Sequence, residues 1–311
     1  KEALQVLVNE AKALLNDAEV GNEPGQWSQD AMNALQTAVD AAQAVLNNSA
    51  ADQQAVNNEV SALEEAIKKG VHVVIATGRT FASLPESIFD IEGLEYVITS
   101  NGAHITELAN TKTIYSNCAD GEAIKKVRDL LKDNQQFPIE VFTDGHAYID
   151  ETVYEDIKMN GSDYMDANYI IRTRNPIPSV YDFMLEHKGD IENINIHFRN
   201  LDDKAMFNQI LREYDGITVT SSMPHNIEIG GETTSKATAI WNLCQILGIG
   251  EENVMAVGDS PNDSAMIIAA GLGIAMGNAV DEVKEIADYI TLANNEDGVA
   301  HAVRKFVLDS I

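Results

Sequence analysis

The sequence predicts an α/β protein built on a parallel sheet and preceded by an all-helical segment. Two observations point there. The hydrophobic period changes at Val71: upstream, apolar residues recur every three or four positions, whereas downstream short β-branched runs alternate with helical stretches. The run HVVIA at 72–76 is apolar without polar alternation, as in strands buried on both faces of a parallel sheet.

Residues 1–70 read as a three-helix bundle. Leu4, Leu7, Val8, Ala11, Leu14 and Leu15 form the first stripe. Met32, Leu35, Val39, Ala42, Val45 and Leu46 form the second, with Ser28 placed to cap it after the Pro24-Gly25 turn. Ser49 and Asp52 have capping-box spacing before the third helix, whose stripe is Val56, Val60, Leu63 and Ile67 and whose stop is Lys68-Lys69-Gly70. No cluster of titratable groups or aromatics marks a site, so the segment reads as a spacer or a module for a protein partner.

Beyond Val71, core strands are expected at 72–76, 96–99, 253–257 and 272–275. Between them lie two hairpin patterns (AHITELANTKTIYS and PIEVFTDGHAYID), amphipathic helices near 121–132 and 202–213, and strands at 193–198 and 217–220. The expected division is a helical bundle over 1–70, an α/β core over 71–103 and 223–311, and an inserted α+β cap over 104–222.

Composition narrows the function. Forty-nine acidic against 21 basic residues give a formal net charge of −28, which opposes binding to a nucleic-acid backbone or an anionic membrane. An acidic protein that handles phosphate needs a cation to reverse the potential locally. Cys118 and Cys244 are the only cysteines and read as reduced packing residues. The opening KEALQVLVNE has no apolar signal core, which gives a cytoplasmic expectation.

Three segments far apart in sequence each place a phosphate-handling group just past an expected core element, where open parallel sheets bind ligands. Ala76-Thr77-Gly78-Arg79 offers a hydroxyl and backbone N–H groups between strand and helix. Thr234-Ser235-Lys236 opens an amphipathic helix and sets an ammonium beside its N-terminus, able to neutralise phosphate charge. Gly258-Asp259-Ser260-Pro261-Asn262-Asp263 carries two carboxylates and an amide on a tight loop, hard oxygen ligands suited to magnesium.

In this order, with AAGLGIAMGNA, DYIT and NEDGVA following, the segments resemble the haloacid dehalogenase (HAD) superfamily, specifically its Cof-type phosphatases with a large inserted cap. The resemblance covers roughly residues 71–311 and implies a HAD-like α/β fold. It also implies magnesium as cofactor and a small phosphorylated metabolite as substrate. By it, Thr77 binds the transferring phosphoryl group beside Gly78 and Arg79, and Lys236 stabilises its charge. Asp259 ligates magnesium, Asn262 and Asp263 support the metal, and Asn101, in the Asn101-Gly102-Ala103 turn, lies near the phosphate. Ala237 replaces the glycine usual after that lysine. The first 70 residues resemble FIVAR-type modules of bacterial surface proteins, through NEPGQWSQDAMNAL and AAQAVLNNSAADQQAVNNEVSALEEAI.

One element of the family pattern does not occur in the 311 residues: the D-x-D-G-T that ends the first core strand and supplies nucleophile and acid/base. The pairs Asp144-Gly145 and Asp215-Gly216 have turn spacing and do not replace it. In the family that strand lies between the strands ending in ATGR and GDSPND. These two are therefore expected either to pair directly or to leave the core partly open. Two other readings remain: a phosphate-binding or scaffolding protein without catalysis, and a dinucleotide loop at Gly271, Gly273 and Gly277. The second is poor, because those glycines run through an expected strand. Arg172, Arg174, His197 and Arg199 read as solvated cap surface or as contacts to a leaving group.

Overall fold

The run HVVIA yields β1 (Val74–Ala76), which pairs in parallel with β2 (Tyr96–Thr99). A computed structural model describes residues 60–134 and 137–309. The expected helices and caps upstream of residue 60 lie outside the described residues. β2 continues antiparallel into β3 (His104–Glu107) and β4 (Lys112–Ser116), giving the order β1-β2-β3-β4. The first expected hairpin therefore extends the core sheet, although the sequence places it in the cap.

A second sheet holds β5 (Ile139–Thr143), β6 (His146–Asp150), β7 (Arg174–Ile177), β8 (Ile191–His197), β9 (Ile217–Thr220) and β10 (Asn226–Gly231), in the order β7-β6-β5-β8-β10-β9. β10, expected on the core side of 222, pairs with β8 and β9 and so belongs to this sheet. Strand alternation sorts its two faces. Ile139, Val141, Ile194, Ile196, Ile227 and Ile229 join one apolar cluster with Ile124, Val127 and Leu131 of helix Gly121–Lys132, which Asp120 caps. The opposite face presents Glu140, Phe142, Asn195, Asn226 and Glu228.

A third sheet has β11 (Met255–Gly258), β12 (Leu272–Ala275) and β13 (Tyr289–Ile290), all parallel. The direct pairing of the strands ending in ATGR and GDSPND does not form. Among the described residues β1 pairs only with β2 and β11 only with β12. β1 is half-buried at all three positions, whereas Val97, Ile98 and Thr99 of β2 are buried. A strand inside a parallel sheet should be buried throughout, so β1 has the character of an edge.

The helical turns at 60–68 also differ from expectation. Read as part of a self-contained bundle, they pack on the α/β core instead. Ala62 and Ala66, one turn apart and fully buried, meet Ala300 and Val303, while Val60 and Ile67 reach the cluster of Leu84, Ile91 and Leu94. Two alanines leave no bulk to hold the helix away.

The buried polar face of the second sheet must be satisfied. Its strongest member is Glu140, whose carboxylate takes two 2.9 Å bonds from Arg174 Nε and Nη2 and one of 3.3 Å from Asn195. Burial opposes ionisation of Glu140, but Arg174 and nearby His197 outweigh it and lower its pKa from 4.5 to about 2. Its folded-state value is depressed, so its contribution is present above about 4.5 and is lost as pH falls from 4.5 towards about 2. Glu140→Gln strips Arg174 of its counter-charge and should cost about 3–5 kcal/mol in urea unfolding at neutral pH. It should also flatten the acid loss of stability in that window. A cost under about 1 kcal/mol with an unchanged acid limb would refute this account of the pair.

Candidate functional site

Thr77 follows β1 directly. Its N–H donates to the Ile98 carbonyl at 2.9 Å, and its Oγ1 accepts from Arg79 N at 3.2 Å, so the hydroxyl hydrogen stays available. The turn after β2 folds back on it: Asn101 N donates to the Thr77 carbonyl at 3.0 Å and Ser100 N to that of Arg79 at 2.8 Å. Ser100, Asn101 and Gly102 all have positive φ, of 50°, 58° and 99°. At Gly102 a Cβ would stand 2.1 Å from the Ser235 carbonyl oxygen, so only glycine lets the next segment approach.

That segment opens helix Lys236–Leu247. Ser235 caps it by accepting from Thr238 N at 3.0 Å. Lys236 is 6% exposed and donates from Nζ to Asp263 Oδ1 at 2.5 Å. The loop after β11 is wound around the same carboxylate: Asp263 Oδ2 accepts from Asp259 N at 2.9 Å and Ser260 N at 3.0 Å. Both oxygens of Asp263 are thus engaged. The Asp259 carboxylate is half-exposed and held by lighter contacts, from Ser260 Oγ at 3.1 Å and Asn278 Nδ2 at 3.0 Å.

An amide relay links the loop to the cap sheet. Asn262 Nδ2 donates to Asn101 Oδ1 at 2.9 Å, and Asn101 Nδ2 donates to Glu228 Oε2 at 3.1 Å. Glu228 Oε1 accepts from Ser222 Oγ at 2.8 Å. Burial pushes the Glu228 carboxyl above its usual value, against hydrogen bonds from Ser222 and Asn101 and the charge of Lys236.

Thr77, Gly78, Lys236, Asp259, Asn262 and Asp263 line one cleft of about 650 Å³, so the structure brings these expected site residues together. Asn101 lies just behind, buried. Arg79 lines the cleft too, but its guanidinium is 4.8 Å from the Tyr169 ring centroid, on which Arg174 also stacks at 4.9 Å. Arg174 and Asn195 form part of the cap wall. His197 is buried, and Arg199 pairs with Asp163 outside the cleft.

Asp259, the orphaned and buried Oδ1 of Asn262, and the neighbouring hydroxyls are hard oxygens of the kind magnesium takes. They fit it in kind but are few. No group of three His, Cys, Asp or Glu side chains converges among the described residues.

Residues 45–303 match the model of the haloacid dehalogenase-like hydrolases. The chain belongs to that family. Residues 1–70 match the FIVAR domain, so the two matches share 45–70, the stretch that includes the helical turns docked on the core. A Bacillus subtilis 5-amino-6-(5-phospho-D-ribitylamino)uracil phosphatase, YcsE, is 36% identical over 259 residues, covering 83% of this chain and 91% of the relative. The B. subtilis phosphatase YwpJ is 32% identical over 282 residues, covering 81% and 93%. Among solved structures, a haloacid dehalogenase-like hydrolase from B. subtilis superposes with a TM-score of 0.68 at 29% identity, covering 79% of this chain and 92% of that one.

Two cleft residues, Glu228 and Tyr169, and one partner of Asp259, Asn278, are not marked as site residues by sequence alone. Glu228 gives a signal, a carboxylate between the isoleucines of NIEIGG, where a buried strand should be apolar. Asn278 lies within the AAGLGIAMGNA run, and only the fold turns it onto Asp259. Tyr169 gives none.

Because Gly102 combines positive φ with a backbone approach, Gly102→Ala must displace either the Ser100–Gly102 turn or the start of helix Lys236–Leu247. It should lower stability by at least about 2 kcal/mol in urea titration. Wild-type stability in that variant would show that the close approach is not required.

Proposed function

We propose that this chain carries the phosphate and magnesium half of a HAD-type phosphatase site, acting on a small phosphorylated metabolite such as a sugar phosphate. The observation that carries it is the convergence of Thr77, Lys236 and Asp259, from three distant segments, in one cleft. The Thr77 hydroxyl and the N–H groups of the following turn would donate to phosphoryl oxygens. Lys236, fixed by Asp263, would neutralise their charge without moving. Asp259, with Asn262 alongside, would hold the cation, while Asp263 supports the loop from behind. When bound, magnesium would supply charge stabilisation to the phosphoryl oxygens. The cap wall of Arg174, Tyr169 and Asn195 suits a polar, hydroxyl-bearing leaving group, in keeping with the phosphoribityl compound named for the B. subtilis relative.

The 311 residues include no D-x-D-G-T, so the acidic pair that attacks phosphorus and shuttles the proton is missing from this sequence. Loss of a nucleophile costs on the order of 10⁴–10⁶ in rate in hydrolases. The purified 311-residue chain should hydrolyse p-nitrophenyl phosphate with magnesium no faster than a buffer control. Turnover that Asp259→Ala abolishes would refute this and indicate a substitute nucleophile. Magnesium should still bind, weakly, by calorimetry, and Asp259→Asn should remove the signal. Tight binding indifferent to that change would place the cation elsewhere. The same missing motif favours a second reading, a non-catalytic phosphate-binding protein whose helical segment docks a partner. Phosphate binding without turnover after the nucleophile segment is resupplied would favour it.

A further inference from the structure

We infer that Glu192 is a positioning residue: from the cap it clamps the strained Ser100–Gly102 turn, and through that turn it sets the loop of Thr77. Glu192 is fully buried and is not among the residues lining the cleft. A carboxylate with no exposure stands where it does because of what it holds.

Its direction comes from a bulge. Alternation along β8 would put Glu192 on the apolar face with Ile194 and Ile196. The pairing with β5 slips by one residue at this point: Phe142 faces Asn193, but Thr143 faces Ile191. Ile191 therefore takes the apolar place, and Glu192 is turned out of the ladder. Donors from both sheets meet it. Ser100 Oγ donates to Oε2 at 2.5 Å and Gly145 N to Oε1 at 2.6 Å, with His104 Nδ1 of β3 lying 3.5 Å from Oε1. Ser100 sits in the turn between β2 and β3 of the core, whereas Gly145 sits in the turn between β5 and β6 of the cap sheet. The Gly145 carbonyl in turn accepts from Ala82 N of the core at 2.9 Å. One carboxylate thus ties the cap to the core at two turns.

The core turn needs such a tie. Ser100 and Asn101 hold φ of 50° and 58°, a left-handed conformation that costs energy in residues other than glycine and persists where the surroundings over-determine it. The cap grips these two consecutive residues with two buried carboxylates, Glu192 on the Ser100 hydroxyl and Glu228 on the Asn101 amide. The turn then fixes the loop after β1, with Ser100 N on the Arg79 carbonyl and Asn101 N on that of Thr77. Released by Glu192, Ser100 relaxes towards negative φ, its N–H leaves the Arg79 carbonyl, and the Thr77 hydroxyl loses its aim. The coupling is reciprocal: an anion that fixes the Thr77 loop also tightens the seat of the cap. The clamp stands on the bonds and backbone angles, and its bearing on anion binding rests on the proposed function.

Amide hydrogen exchange and tungstate calorimetry on the whole 311-residue chain test it. Glu192→Gln keeps the side-chain shape but replaces one acceptor oxygen with an amide donor. It should speed exchange at the Ser100 and Asn101 amides roughly tenfold and weaken tungstate binding by a similar factor. The amides of Leu272 and Met276, bonded in the third sheet, should exchange as before, which separates a loosened turn from a general loss of fold. Glycine takes positive φ without strain, so in a Ser100→Gly background Glu192→Gln should change either reading by less than about twofold. Unaltered exchange at Ser100 and Asn101 in Glu192→Gln, equal acceleration at Leu272, or the same loss in both backgrounds would overturn the clamp. Faster exchange with unaltered tungstate affinity would overturn its action on Thr77. Faster exchange in the variant, with no tungstate binding to the wild-type chain, would uphold the clamp and overturn the phosphate reading.

Discussion

Helix Lys236–Leu247 is the splint on which the core depends. The sheets of β1 and β11 share no hydrogen bond between those strands, so their relation must come through side chains. The helix supplies it. Ile240 packs into the cluster of Ile98, Ala239 and Leu243 beneath the first sheet and also into that of Ala256, Met266 and Ala275 beneath the other. At its N-terminus Ser235 rests against Gly102 of one sheet and Lys236 grips Asp263 of the other. Fixing both sheets to one rigid rod brings the ends of two separate strands within a single cleft.

The cleft is assembled from the same contacts, so architecture and site are hard to separate. Asp263 neutralises Lys236 and closes the loop on Asp259, and the Asn262–Asn101–Glu228 relay ties that loop to the cap sheet. Buried ion pairs of this kind contribute modestly to stability compared with apolar packing, but removing one partner leaves a costly uncompensated charge. Here the pairing fixes where an ammonium stands. In a chain of net charge −28, that ammonium stands with Arg79 and Arg174 among the cations lining the cleft, as the proposed phosphate site requires.

The core strands and the three segments that meet at the cleft were legible because they depend on local signals: unbroken β-branched runs, a helix cap, and an Asp-rich turn. Their convergence was legible only through the family pattern, since spacing in sequence carries no distance across a sheet. Elements needing long-range knowledge were misplaced. The hairpin of β3 and β4 looks the same whether its first strand pairs with the core or the cap, and β10 reads as a strand without saying whose. Helix 60–68 has a stripe suited to a bundle, yet Ala62 and Ala66 on an adjoining face serve the α/β core. Tyr169 was invisible because its partners, Arg79 and Arg174, come from opposite walls of the cleft.

The central claim is that three loops, following β1, β10 and β11 on three different sheets, form one anion and cation site. Crystals of the chain grown with magnesium and tungstate, a phosphate mimic located by anomalous scattering, test it most directly. The account predicts tungstate against the Thr77 hydroxyl and Lys236 Nζ, with the cation on Asp259. Tungstate bound elsewhere, or at Thr77 without Lys236, would contradict it.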